Sequence, residues 1–167
     1  NQLKIISKKI PKYHDNRGFF SKIYYQKNSE IKNIKQVNLS LTKKKGTIRG
    51  LHLQLKKHKE IRIIKCVSGK IFDVVVDLRP NSRSFLKYKS KILTENDKVC
   101  IIIPKGFAHG FQTLAKNTKV LYLHDNNYSK NNELTVYPFD KKINIKWPLK
   151  VTKISNKDIN GKKFYEL

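Results

Sequence analysis

Short runs rich in Val, Ile, Leu, Tyr and Phe recur along the chain, separated by Gly, Pro, Asn, Asp and Ser. Runs of this length and bias make strands rather than helices. The pattern predicts strands at residues 36–41, 60–67, 70–78, 86–92, 98–103, 110–114 and 119–124. Ser68-Gly69 punctuates the second and third as a hairpin turn does. Within 70–78, Ile71, Phe72, Val74, Val75 and Val76 put apolar side chains on both faces, with acids at Asp73 and Asp77. That predicts a central strand covered on both sides. Only 29–34 suggests a short helix, and the last dozen residues read ambiguously. Many short strands with regular turns predict an all-β sandwich or barrel, the jelly roll being one member. With no linker or repeat, residues 1–167 are read as one domain.

Polar residues inside these apolar runs are the candidates for chemistry. Asp73, flanked by Phe72 and Val74, is expected to be buried, and a buried carboxylate needs a partner. The histidines at 14, 52, 58, 109 and 124 could supply it. His52 sits in Arg49-Gly50-Leu51-His52-Leu53-Gln54, a strand-like setting, and His109 lies just before Gly110 in an apolar stretch. A histidine oriented by a carboxylate is the usual general base near neutral pH. The competing readings are a core histidine and a metal ligand. No HxH pair, and no Cys or Glu at ligand spacing, accompanies His52 or His109, which argues against metal.

Composition adds a charge question. The formal net charge is +25, which ordinarily points to nucleic acid or an anionic surface. Here arginine occurs only at 17, 49, 62, 79 and 83, so nearly all of the 37 basic residues are lysine. The lysines are scattered and accompanied by abundant Asn and Ile, the signature of biased composition rather than of a nucleic-acid footprint. The positive field would still attract a phosphorylated substrate. Arginine in a lysine-rich chain marks places where a planar fork is needed, and the Arg17-Gly18 and Arg49-Gly50 steps offer a diphosphate clamp. Cys66 and Cys100 lie in apolar runs and read as buried thiols. No run approaches the ~20 apolar residues of a membrane span, and residues 1–9 lack a signal-peptide core. The expectation is a cytoplasmic protein with neither membrane nor nucleic acid as partner.

Seven segments then arrive in order: DNRGFF, QVNLS, IRGLHLQ, GKIFDVVVDLRPNS, IPKGFAHGFQTL, YLHDNNY and ISNKD. Together they resemble the successive signatures of the dTDP-4-dehydrorhamnose 3,5-epimerase family, from about Asp15 to Asp158. The resemblance implies a cupin-type jelly-roll homodimer whose subunits exchange strand material, without metal or organic cofactor. It implies a nucleoside-diphosphate-4-keto-6-deoxyhexose as substrate, inverted at carbon 3, carbon 5 or both through an enolate. His52 then matches the general base, Asp158 the carboxylate that orients it, and Tyr122 the acid on the opposite face. Asp73 and His109 match a second buried pair. Arg49 and Arg17 match diphosphate contacts, while Phe20, Gln36, Asn38, Tyr128 and Glu133 match other pocket residues. An imidazole near its ordinary pKa of ~6.5 and a phenol near ~10 suit these base and acid roles.

Two positions depart from the pattern. Arg62 stands where the family usually has lysine beside the enolate oxygen; it keeps the charge but has no proton to give up. Lys22 stands where glutamate is common near the nucleotide, which leaves the base open. A mono-epimerase, a 3,4-ketoisomerase, and a homologue that binds a nucleotide sugar without turnover are the alternatives on this fold. Leu53-Gln54 do not supply the second histidine of the ketoisomerase branch.

Overall fold

A computed structural model describes residues 6–26 and 31–167. The strands are β1 (Ile6–Lys9), β2 (Lys12–Asp15), β3 (Gly18–Ser21), β4 (Gln36–Thr42), β5 (Ile48–Gln54) and β6 (Arg62–Ser68). They continue with β7 (Lys70–Asp77), β8 (Tyr88–Thr94), β9 (Val99–Ile103), β10 (Phe107–Thr113), β11 (Thr118–His124) and β12 (Glu133–Thr135). A single-turn helix, α1, covers Asn156–Ile159. All strand pairs are antiparallel, in two five-stranded sheets of order β1-β9-β6-β11-β4 and β12-β5-β10-β7-β8, with β2-β3 as a separate hairpin. This is an all-β jelly-roll sandwich of the cupin type. Among the described residues no helix is long and apolar enough to cross a membrane.

The inner faces meet in two halves of different character. At one end Ile64, Cys66, Ile71, Val75, Leu93, Ile101, Phe111 and Val120 pack into a continuous apolar core. At the other end the same strands point polar side chains inward. β7 is covered on both faces, as its sequence predicted: Val74 and Val76 face outward but lie beneath Ile143, Ile145 and Trp147 of the C-terminal segment. Each such apolar side chain contributes about 1.5–3 kcal/mol on full burial. The two cysteines are buried and unpaired, and burial pushes both thiols up.

Three expectations are corrected. The helix over 29–34 does not form at 31–34, and Ser29 and Glu30 lie outside the described residues. The strand expected at 110–114 starts three residues earlier, at Phe107. The pattern also gave no run for β1, β2, β3, β5 or β12, β5 being read only as a strand-like setting around His52.

Asp77, fully buried at the end of β7, organises the turn that follows. Its carboxylate accepts from Arg79 Nη2 at 2.7 Å and from the hydroxyls of Ser82 and Ser84, each at 2.6 Å. Burial raises its pKa, but Arg79 and the two serines outweigh that and hold the carboxyl well below the usual range. Asp77→Ala would leave these donors unpaired and is expected to cost about 3 kcal/mol, read as a lower denaturation midpoint at unchanged slope. Because the folded-state pKa is depressed, this stabilisation is full above about pH 4 and is lost as pH falls further.

Candidate active site

The polar half of the sandwich interior is a cavity of about 760 Å³. One wall is the β5-β10-β7 sheet. On it His52 of β5 and His109 of β10 are direct neighbours in register. That register requires β5 and β10 to approach closely. Gly50 has φ +109°, and a Cβ there would lie 2.7 Å from Gly110 Cα and from the His109 carbonyl. Gly50 and Gly110 thus set the spacing of the two imidazoles.

His52 Nε2 lies 2.6 Å from Asp158 Oδ1. Asp158 is 4% exposed at the start of α1, where Ser155 caps its N–H and its Oδ2 accepts from Gly50 N at 3.1 Å. Burial raises the Asp158 pKa, and the bonds from His52, Gly50 and Ser155 more than offset this, so the carboxyl is held low and ionised. An ionised Asp158 makes Nε2 the protonated nitrogen and leaves Nδ1 as the acceptor. Glu133 Oε1 is 4.0 Å from that Nδ1.

Behind His52, His109 Nε2 bonds Asp73 Oδ1 at 2.6 Å, so the buried acid does find a histidine. Asp73 Oδ2 has no partner among the described residues. Burial lowers the His109 pKa, with Arg62 and His52 adding to the effect against Asp73, so this ring is neutral at neutral pH.

The facing wall is the β6-β11-β4 sheet, which presents Arg62, Tyr122, His124, Asn38 and Ser40. The Tyr122 ring meets the His109 ring edge-on at 6.3 Å, so the phenol stands across the cavity from the paired imidazoles. Burial pushes the Tyr122 phenol up to about 12, while Ser40, Arg49 and Arg62 pull weakly the other way. In a spectrophotometric alkaline titration Tyr122 is expected to ionise near pH 12, well above the ~10 of a free phenol. The latest component should vanish in Tyr122→Phe.

A carboxylate-held imidazole and a protonated phenol on opposite walls is an arrangement for proton removal and return at one carbon. A family model described as dTDP-4-dehydrorhamnose 3,5-epimerase matches residues 2–166. A relative of that name from Shigella flexneri is 39% identical over 158 residues, covering 92% of this chain and 87% of its own. The chain belongs to the dTDP-4-dehydrorhamnose 3,5-epimerase family. A family structure from Bacillus anthracis, with TDP and pyrophosphate bound, superposes with a TM-score of 0.89 at 35% identity over 94% of this chain and 92% of that one. Another, from Legionella pneumophila in complex with dTDP-4-keto-L-rhamnose, gives 0.88 at 31% identity over 96% and 92%.

Other residues expected from the epimerase resemblance divide into two groups. Asn38, Arg49, Tyr128 and Glu133 line the cavity. Arg49 is steadied by Thr42 Oγ1 at 2.8 Å, and Tyr128 donates its hydroxyl to Glu133 at 2.9 Å. Gln36 does not line the cavity but accepts from the N–H of Tyr128, which does, at 2.9 Å. Arg17 and Phe20 are elsewhere. Both are on or beside the β2-β3 hairpin, Phe20 is 66% exposed, and Arg17 pairs with Asp15 at 2.6 Å. Neither borders the cavity of its own chain.

The epimerase site also contains residues to which the sequence gives no role in it, although His124 is one of the five histidines weighed as a partner for Asp73. Lys157 bonds Glu133, and Lys43, Lys44 and Lys153 line the cavity beside Arg49. Glu60 and His124 are buried in the far wall. Lys157 could have been found from its place in the ISNKD segment next to Asp158. His124 could have been found as the polar residue two past Tyr122 on the same strand face. Among the described residues no group of three or more His, Cys, Asp and Glu is placed to hold a metal ion.

Proposed function

We propose that this protein inverts carbon 5, carbon 3 or both of a nucleoside-diphosphate-4-keto-6-deoxyhexose, with dTDP-4-dehydro-6-deoxyglucose as the substrate, in deoxysugar biosynthesis in the cytoplasm. The observation that carries this reading is the placement of the His52–Asp158 pair and of Tyr122 on opposite walls of one cavity. His52 Nδ1 takes the proton from the carbon alpha to the ketone, and the C–H electron pair moves onto the keto oxygen as an enolate. The guanidinium of Arg62, on the cavity wall, offsets that charge. Tyr122 then gives its hydroxyl proton to the opposite face of the same carbon, and the ketone re-forms. Proton exchange with solvent restores both side chains.

The lysines and Arg49 around the cavity support an anionic diphosphate as the other half of the ligand. Homodimerisation is part of the reading. β4 is a sheet edge whose outward residues Val37, Leu39 and Leu41 are 57%, 62% and 45% exposed, an apolar stripe suited to a second copy. Exchange of the β2-β3 hairpin would bring Arg17 and Phe20, idle in their own chain, to the partner's cavity.

The direct test is incubation with dTDP-4-keto-6-deoxyglucose in heavy water, followed by NMR of the sugar. Deuterium at carbon 5, carbon 3 or both supports the reading and reports the regiochemistry. A ketosugar recovered without deuterium contradicts it, and tight binding in that case identifies a non-catalytic nucleotide-sugar binder.

A further inference from the structure

The far wall holds two buried ionisable groups that the proposed chemistry does not use, Glu60 and His124, 7% and 8% exposed. They belong to a continuous run of side-chain bonds. Tyr128 N donates to Gln36 Oε1 at 2.9 Å, and Gln36 Nε2 donates to Asn38 Oδ1 at 3.1 Å. Asn38 Nδ2 meets His124 Nε2 at 3.3 Å, and His124 Nδ1 meets Glu60 Oε2 at 3.0 Å. The other oxygen, Glu60 Oε1, is 3.5 Å from Arg62 Nε.

The donors and acceptors agree along the whole run. An amide N–H facing His124 Nε2 makes that nitrogen the acceptor, so Nδ1 carries the proton and donates it to the carboxylate. Each link therefore fixes the orientation of the next.

Arg62 is where the run ends, and its surroundings suggest why. Nη2 donates to the carbonyls of His52 at 3.2 Å and of Phe107 at 2.9 Å. Nε is buried and stops just short of a hydrogen bond with Glu60. A guanidinium is a planar fork, so fixing Nη2 and Nε fixes the direction of Nη1. A lysine at this position would need no such support, because an ammonium has no fork to aim.

We propose that Glu60 and His124 are positioning residues: with Asn38 and Gln36 they aim the Arg62 guanidinium into the cavity and tie its setting to what occupies the Tyr128 end. This rests on the epimerase reading for its catalytic consequence, but the relay itself does not. Closing the 3.5 Å gap to Arg62 Nε is the motion by which a nucleotide at Tyr128 would be felt beside His52.

The test combines turnover with a signal that needs none. In the deuterium-exchange assay, Glu60→Gln is expected to lower kcat about tenfold with KM within about twofold. In the Arg62→Lys background the same change should cost less than about twofold, since no Nε–H remains to be held. Equal losses in both backgrounds, or a loss of stability alone, would overturn the proposal. Independently, the nitrogen-15 signal of Arg62 Nε–H should shift when dTDP is added at saturation, established by calorimetry, and should stop responding in His124→Ala. A signal indifferent to dTDP, or one that still responds in His124→Ala, overturns the relay whether or not the protein turns over. If the unsubstituted protein exchanges no deuterium, the epimerase reading fails and the Arg62 signal alone decides the relay.

Discussion

Replacing His52 with alanine is expected to slow deuterium incorporation by about 10²–10⁴-fold, the usual contribution of a positioned base. The fold should survive. The His52 side chain is 32% exposed at the cavity and belongs to none of the apolar clusters. Asp158 would keep the Gly50 N–H on its carboxylate, so its charge would not be left bare. The comparison is exchange rate by NMR, against circular dichroism and a thermal melt for folding. Undiminished incorporation in folded His52→Ala would assign the base elsewhere, with Glu133, 4.0 Å from His52 Nδ1, as the first alternative.

Tyr122→Phe is expected to separate two events that the unsubstituted protein performs together. The substitution removes one hydroxyl and keeps the ring, which packs against the core and lies edge-on to His109. Formation of inverted sugar should fall by about 10²–10⁴-fold for want of the acid. Deuterium exchange should persist, because His52 can return a solvent-derived proton to the face from which it took one. Inverted product and exchange falling together would show that the phenol is needed for abstraction as well. Neither falling would remove Tyr122 from the chemistry.

How much of this was legible depended on whether the physical signal was local. β7 was plain because Phe72, Val74 and Val76 must be covered as thoroughly as Ile71 and Val75, and only a central strand does that. Asp73 announced itself as a buried acid in need of a partner, although periodicity left five histidines open and the family resemblance chose His109. β5 was obscured because Arg49, Gly50, His52 and Gln54 interrupt its apolar pattern, and those interruptions are the site itself. β4 was found, but its polarity is inverted: Asn38, Ser40 and Thr42 line the cavity, while Val37, Leu39 and Leu41 lie in the open. A reader assuming that apolar residues face inward would turn that strand over.

The long-range pairs had no local signal at all. Asp158 is 106 positions from His52, and Glu60 is 64 from His124. Only a resemblance could propose the first pair, and nothing in the sequence proposed the second. Arg17 and Phe20 show the converse case. Their motif was recognisable, yet their own chain gives them no cavity to line.

The proposed reaction places proton removal and proton return on opposite walls of the cavity. It is tested most directly by the stereochemistry of the sugar formed by the unsubstituted protein in heavy water, read from proton couplings before equilibrium is reached. Each carbon that has gained deuterium should also have inverted. Deuterium gained with configuration retained would mean that a single wall carries out both transfers, and the facing placement of His52 and Tyr122 would then have no part in the reaction.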